Sequence, residues 1–513
     1  MKRLWLFSIG IFFIAFILYP QESTLKFHQQ NIEISGGVDN LVIRDIDGDK
    51  LQELIFQQGH NLLVYRMSSP APGNGFTKSI VCRLPEDACI YEITGVEHSP
   101  GLVYINSKGV NSARLCSPTD KAPITVSCPT VFRNERFPVP LHKRILFSLD
   151  NDNRIAVAPD SGRFRIIPYN GALSGVITTT EVPINMASRV YDSHNIFEPL
   201  TTEATFPIFA FSDMDNDRKN DFITFFQGQA CGFLCDGGKG VLSFNPAGSL
   251  LTIPEDAASQ EIDFGYTLSP LVSDINKDGC ADMLFSDDRE GTVYIYLNQF
   301  AASRTFFAKT PTQIIRTNNW IIEHNLIDLN GDNLDDLVLV QMNKLGIMGG
   351  LQAILAKTLE WEIAVYSARP ARDNTAGVYP QSPDYVRSIK LPFSFSYSSS
   401  LSLGRSVPKI QSPYIWCLAG DFNGDKMRDL LLSATESQVE IYSGIGAQIF
   451  SRTGSTSVSL SSAGRGYKLM GMPYGAPVVS DINNDGKSDM VIPFIRQDSA
   501  GGISHSYEIL ISN

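Results

Sequence analysis

The chain has 513 residues, 42 Lys plus Arg against 54 Asp plus Glu, and a formal net charge of −12. A hydrophobic share of 43% and a charged share of 19% allow a large core and exclude a disordered chain. The acidic total lacks the basic footprint of a nucleic-acid-binding protein, so no nucleic-acid partner is expected.

Lys2 and Arg3 precede an apolar run from Leu4 to Tyr19 that Pro20 ends, the pattern of a secretory signal. Its 16 residues span about 24 Å as a helix, short of a ~30 Å hydrocarbon core. No small-x-small cleavage site follows, so residues 1–24 suit both a removed signal peptide and an uncleaved membrane anchor. Either way the body, 25–513, is expected outside the cytoplasm as a secreted, periplasmic or anchored protein.

Beyond this segment the apolar residues fall in short runs between turn residues, which predicts strands. Leu41-Val-Ile-Arg44 leads into Asp45-Ile-Asp-Gly-Asp-Lys-Leu-Gln-Glu53; Leu54-Ile-Phe56 leaves it and Asn61-Leu-Leu-Val-Tyr65 follows. The same nine-residue loop returns at 213–221, 274–282, 328–336, 421–429 and 481–489. Oxygen-bearing side chains occupy positions 1, 3, 5 and 9 each time, and positions 2 and 10 are apolar. These side chains are Asp45, Asp47, Asp49 and Glu53, then Asp213, Asp215, Asp217 and Asp221, then Asp274, Asn276, Asp278 and Asp282. The later copies supply Asp328, Asn330, Asp332 and Asp336, then Asp421, Asn423, Asp425 and Asp429, then Asp481, Asn483, Asp485 and Asp489.

The first aspartates lie 168, 61, 54, 93 and 60 residues apart. A unit near 58 residues therefore repeats, and the longest gap holds two units without a complete loop. Tyr91-Glu-Ile-Thr94 with Gly101-Leu-Val-Tyr-Ile105, and Arg144-Ile-Leu-Phe-Ser148 with Arg154-Ile-Ala-Val-Ala158, are the candidates; Asp150-Asn-Asp152 is a loop remnant. Small sheets of this size cannot bury both faces alone, and radial stacking solves that. The expected fold is all-β: a single β-propeller of about eight blades (alternatively seven), each of three or four strands. Because the last unit ends after three strands, a strand near Phe27–Ile34 is expected to supply the fourth and close the ring. The gap of 93 locates an insertion at about 367–410, where Arg369, Arg372, Arg387, Lys390, Arg405 and Lys409 face only Asp373 and Asp384. That loop is a surface excursion or a docking loop for an acidic or sulfated partner.

Oxygen ligands at alternating positions suit a hard cation, and calcium takes 6–8 of them in a flexible cage. Position 7 is expected to add a backbone carbonyl from Leu51, Lys219, Cys280, Leu334, Met427 and Lys487. An EF-hand is excluded, because position 12 is Phe56, Thr224, Phe285, Leu339, Leu432 or Ile492 instead of Glu. The loops hold 20 acidic ligands, and six Ca²⁺ would cancel the net charge of −12. Position 6 is expected at positive φ, where glycine is unstrained. Gly279 and Gly486 would then make the Asp274 and Asp481 loops the most resistant to chelation.

Three cysteine spacings suit local disulfides in an oxidising compartment: Cys82 with Cys89, Cys116 with Cys128, and Cys231 with Cys235. Cys280 and Cys417 have no near neighbour. The sequence contains no HExxH, GxSxG or GxxxxGK[ST] motif, so no catalytic residue is assigned.

The loops resemble the FG-GAP or VCBS repeat, the calcium-binding blade repeat of integrin α-subunit propellers and of many secreted bacterial proteins. The likeness covers most of the chain after about residue 30, with Gly475-Ala-Pro477 the best copy of the Gly-Ala-Pro element. It implies about six Ca²⁺ bracing one rim and a binding or adhesion scaffold for a protein or glycan. The alternative is a lyase-like propeller enzyme acting on polysaccharide in a central cleft.

Overall fold

A computed structural model describes residues 25–69, 75–86, 88, 90–94, 101–106, 109–114, 124–127, 146–148, 154–160, 163–169, 180–183, 187–191, 201–205, 208–226, 229–236, 243–252, 270–287, 290–344, 355–356, 358–370, 378–392, 394–400, 405–411, 417–435, 437–444, 456–469, 477–499 and 501–513. The apolar segment at 1–24 lies outside them. Among the described residues no helix is long and apolar enough to cross a membrane.

Antiparallel sheets follow one another along the chain as eight blades, spanning 40–83, 90–127, 146–183, 208–252, 271–316, 320–392, 417–459 and 468–512. Blade 1 shows the plan: Asn40–Arg44, Glu53–Gln58, Asn61–Met67 and Phe76–Arg83 pair in sequence order, each with the next. The ring closes through the N-terminus. Phe27–Ser35 pairs with Ile503–Ser512 along its full length, as the fourth strand of blade 8. Eight blades replace the seven-blade alternative, and blades 2 and 3 are the two units without a complete loop.

In blades 5 and 6 the second strand packs on both faces, so its burial shows no alternation. Asp336–Met342 is buried at every position, as is Asp282–Asp287. The hydrophobic core is correspondingly divided into clusters between neighbouring blades. Leu430, Leu432 and Tyr442 of blade 7 pack on Val338, Val340 and Ile363 of blade 6, and equivalent clusters join blades 8 and 1, 1 and 2, 3 and 4, 4 and 5, 5 and 6, and 7 and 8.

This division explains the apolar loop positions. Position 2 (Ile46, Met214, Ile275, Leu329, Phe422, Ile482) is inserted in the cluster shared with the following blade. Position 10 (Leu54, Phe222, Met283, Leu337, Leu430, Met490) is inserted in the cluster shared with the preceding one. Each loop is thus held between two apolar plugs, both at most 3% exposed.

The extra chain differs in extent from the expected insertion. Tyr385–Pro392 is the outer strand of blade 6, paired with Thr358–Tyr366, and the excursion beyond the blade is a ribbon of Ser394–Ser400 with Arg405–Gln411. A second ribbon, Ala187–Tyr191 with Thr201–Thr205, precedes blade 4 and has no counterpart in the sequence reading.

Candidate metal centres

Each loop joins the first and second strands of its blade, and its own carboxylates organise it. The position-1 carboxylate accepts the N–H of position 6 in every copy: Lys50 to Asp45 at 2.9 Å, Arg218 to Asp213 at 2.6 Å, Gly279 to Asp274 at 3.0 Å, Asn333 to Asp328 at 2.9 Å, Lys426 to Asp421 at 2.7 Å and Gly486 to Asp481 at 2.9 Å. The position-5 carboxylate accepts the N–H of position 7, at 2.8–2.9 Å in all copies. These bonds wrap the backbone around the oxygen side chains.

Such a tight wrap needs left-handed backbone. Position 6 has positive φ in all six loops, including the non-glycine residues Lys50 (73°), Arg218 (67°), Asn333 (66°) and Lys426 (71°). Position 4 does as well, at Gly48, Asn216, Lys277, Gly331, Gly424 and Asn484. The sequence reading missed this second site, although its preponderance of Gly and Asn was a visible signal. Lys277, at φ 59°, puts strain of about 1–2 kcal/mol into the Asp274 loop. The unstrained loops are therefore those of Asp328 and Asp481, a change from the expected pair.

Position 9 is the buried anchor. Glu53, Asp221, Asp282, Asp336, Asp429 and Asp489 are at most 2% exposed. One carboxylate oxygen of each accepts the N–H of position 2, at 2.7–3.2 Å. In five of them the other oxygen accepts an N–H from Cys235, Asn298, Ala368, Gly444 or Ser512, on or just after the third strand. Glu53 differs: the Arg66 guanidinium stands 3.8 Å from its second oxygen and 3.3 Å from Asp47.

Burial pushes these acids up, in Glu53 against the opposing charge of Arg66: Asp282 to about 8, Glu53, Asp221 and Asp489 to about 7, and Asp336 and Asp429 to about 6. Desolvation is the main cause in each, and the other loop carboxylates add to it.

Position 3 divides the loops. Asn276, Asn330, Asn423 and Asn483 donate their side-chain N–H to the position-5 carboxylate at 3.0–3.1 Å. Asp47 and Asp215 cannot. In their loops Asp45, Asp47 and Glu53, and Asp213, Asp215 and Asp221, bring carboxylate oxygens within 4.8 Å of one another. Asp215 Oδ1 is buried with no hydrogen-bond partner, and both burial and the charges of Asp217 and Asp213 raise the Asp215 pKa. An all-oxygen donor set with an orphaned carboxylate oxygen fits a hard divalent cation such as calcium. Positions 1, 3, 5 and 9 would hold it, with the carbonyl of position 7.

The remaining sequence-predicted residues divide as follows. Cys82 is disulfide-bonded, whereas Cys89, Cys116 and Cys128 lie outside the described residues. The expected Cys231–Cys235 bridge is corrected. Both are free thiols on the one strand Gln229–Asp236, roughly 13 Å apart at about 3.3 Å per residue, beyond the ~7 Å Cα reach of a disulfide. Cys280 is free and buried, in keeping with the sequence reading. Of the basic residues in the expected docking loop, Arg369 pairs with Asp384 at 3.3 Å, and Arg387 donates to the Tyr442 hydroxyl at 3.1 Å while lying over its ring. Arg372 and the side chains of Arg405 and Lys409 lie outside the described residues.

A model of the FG-GAP-like repeat matches residues 274–339 and 421–492. Over these two stretches the chain is similar to FG-GAP-like repeats. The matched stretches contain the four loops with Asn at position 3, and the Asp45 and Asp213 loops fall outside them. No curated protein matches the chain. Among solved structures, an Agrocybe aegerita lectin studied for recognition of non-reducing terminal N-acetylglucosamine is similar at 14% identity, over 83% of this chain and 93% of that one, with a TM-score of 0.33. The WD40 domain of SCAP from fission yeast is similar at 11% identity, over 94% and 98%, with a TM-score of 0.37. A protein from Lactobacillus plantarum is similar at 11% identity, over 67% and 86%, with a TM-score of 0.28.

Proposed function

We propose that this FG-GAP-like propeller is an extracytoplasmic binding scaffold for a protein or glycan, stabilised by calcium in its six loops. The observation that carries the calcium reading is the repeated loop itself. Six copies share one hydrogen-bond pattern that gathers oxygen ligands, and in the Asp213 copy a carboxylate oxygen is buried without a partner. The ion would supply the positive charge that the buried position-9 carboxylates lack. The scaffold reading follows from the repeat type and from a ring whose blades are fixed by apolar clusters, leaving the connecting loops to carry recognition. The extracytoplasmic placement rests on the charged and apolar pattern of residues 1–24.

Elemental analysis of purified protein, followed by glycan and surface-protein binding screens with and without calcium, tests the proposal. Stoichiometric calcium and calcium-dependent ligand capture are expected. Turnover of a polysaccharide in a parallel assay would replace the scaffold reading with the enzymatic one.

A further inference from the structure

In five of the six loops, all but the Asp421 loop, position 8, to which the sequence assigns no ligand, is bonded to the preceding blade. The Ser488 N–H donates to the Asp421 carbonyl at 2.6 Å, and the Ser488 hydroxyl accepts the Asp421 N–H at 3.0 Å. The Gln52 N–H donates to the Ile482 carbonyl at 2.9 Å and its side-chain amide to the Asp481 carbonyl at 2.9 Å. The Ala281 N–H donates to the Asp213 carbonyl at 2.7 Å. Asp335 accepts from Ser273 at 2.8 Å and Lys277 at 3.2 Å, both on the blade before it. Even at blade 4, whose predecessor has no complete loop, Asn220 at position 8 donates to the Ser148 carbonyl of that predecessor at 3.0 Å.

Other positions tighten the same seams. Asn216, at position 4 of the Asp213 loop, reaches the Asp278 carbonyl at 3.4 Å and lies so close to Gly279 that a Cβ there would meet its Oδ1 at 2.7 Å. A Cβ on Gly424 would meet the Lys487 side chain at 3.3 Å.

From these seams, and on the calcium reading given above, we infer that neighbouring loops bind their ions cooperatively, with the position-8 residue as the coupling element. Position 8 lies between two ligands of its own loop, the carbonyl of position 7 and the carboxylate of position 9. It is bonded to position 1 or 2 of the preceding loop in the Ser488, Gln52 and Ala281 seams, and to position 4 and the adjoining strand in the Asp335 seam. An ion that fixes one loop therefore orders ligand-bearing backbone in the next, and the second ion meets an already ordered site. The bonds run in two rows: the Asp421, Asp481 and Asp45 loops, and the Asp213, Asp274 and Asp328 loops. Blades 2 and 3, which carry no complete loop, interrupt the series between Asp45 and Asp213.

The test is a calcium titration of the full chain read by hydrogen exchange, giving the midpoint of protection for each loop separately. Asp485→Asn weakens the middle loop of the first row while keeping its acceptor oxygen. It should raise the midpoints of the 421–429 and 45–53 loops by roughly fivefold, at the low end of measured coupling factors, and leave 213–221 and 274–282 unchanged. Asp278→Asn should do the converse, shifting 213–221 and 328–336 and sparing 45–53 and 481–489. Adding Asp335→Ala, which alters no ligand, should abolish the effect of Asp278→Asn on 328–336. A shift confined to the substituted loop, an equal shift at every loop in both variants, or an unchanged effect in the Asp335→Ala background overturns the coupling. No calcium-dependent protection anywhere in the wild-type chain overturns the calcium reading instead, so the two failures are distinguishable.

Discussion

The Asp45 and Asp213 loops and the other four share one backbone path and differ at a single ligand. Where position 3 is asparagine, its amide donates to the position-5 carboxylate, so the loop satisfies part of its own charge. Where it is aspartate, a fourth carboxylate enters the same space, and charge is met from outside the ligand set. Arg66 approaches Asp47 and Glu53 in one loop, and Lys219 pairs with Asp217 at 3.1 Å in the other. The same fold thus carries loops with three ligand carboxylates and loops with four, and on the calcium reading the second kind depends more on the ion. Position 3 decides which.

The largest effect expected is that of removing calcium altogether. Each ion present at a hundredfold excess over its Kd stabilises the folded chain by about 2.7 kcal/mol. Melting in EGTA should fall further than any single substitution moves it, and an unchanged melting temperature would remove the metal from the account of both loop types. Next in size is Asp282→Ala, which leaves the N–H groups of Ile275 and Asn298 without their acceptor in a buried site. It should destabilise by roughly 3 kcal/mol in urea unfolding, with or without calcium, because the anchor acts in both states.

Proton linkage gives a third test. The position-9 carboxylates of the metal-free fold are raised to about 6–8, above their unfolded values near 4. The metal-free fold binds more protons than the unfolded chain, so their contribution is complete below pH ~4 and is lost as pH rises toward ~8. Denaturation in EGTA should therefore show stability falling from pH 5 to pH 8. In saturating calcium the slope should reverse, since protons compete with the ion.

Exchanging the position-3 residues then sharpens the contrast between loop types. Asp215→Asn should stabilise the metal-free chain by about 1 kcal/mol and weaken one calcium site, and Asn483→Asp should do the opposite on both counts. Calorimetric titration alongside chelated melts reads the two signs together. The smallest effect is that of backbone strain. Lys426→Gly should stabilise by about 1 kcal/mol by relieving positive φ, whereas Asn333→Gly should change little.

Much of the scaffold was legible in the chain. The recurrence of Asp45, Asp213, Asp274, Asp328, Asp421 and Asp481 with apolar positions 2 and 10 marked the blades, and the three-strand last unit pointed to a clasp near Phe27–Ile34, which the structure shows as Phe27–Ser35. These features are local patterns with a fixed period, and hydrophobic burial reads such patterns directly. Position 9 was legible as a candidate ligand but not as an anchor, because its partners Cys235, Asn298, Ala368, Gly444 and Ser512 share neither residue type nor spacing. They donate backbone N–H groups, which every residue except proline carries.

By itself, then, the sequence determined the repeat, the oxygen-lined loops and the closed all-β ring, since these follow from residue type at regular intervals. The tertiary structure alone decided that Cys231 and Cys235 stand apart on one strand, that Arg66 faces the first loop, and that in five of the six loops position 8 joins one blade to the one before it. Contacts of that kind depend on how separate sheets are set against each other. Backbone groups and long side chains make them at positions where composition carries no signature.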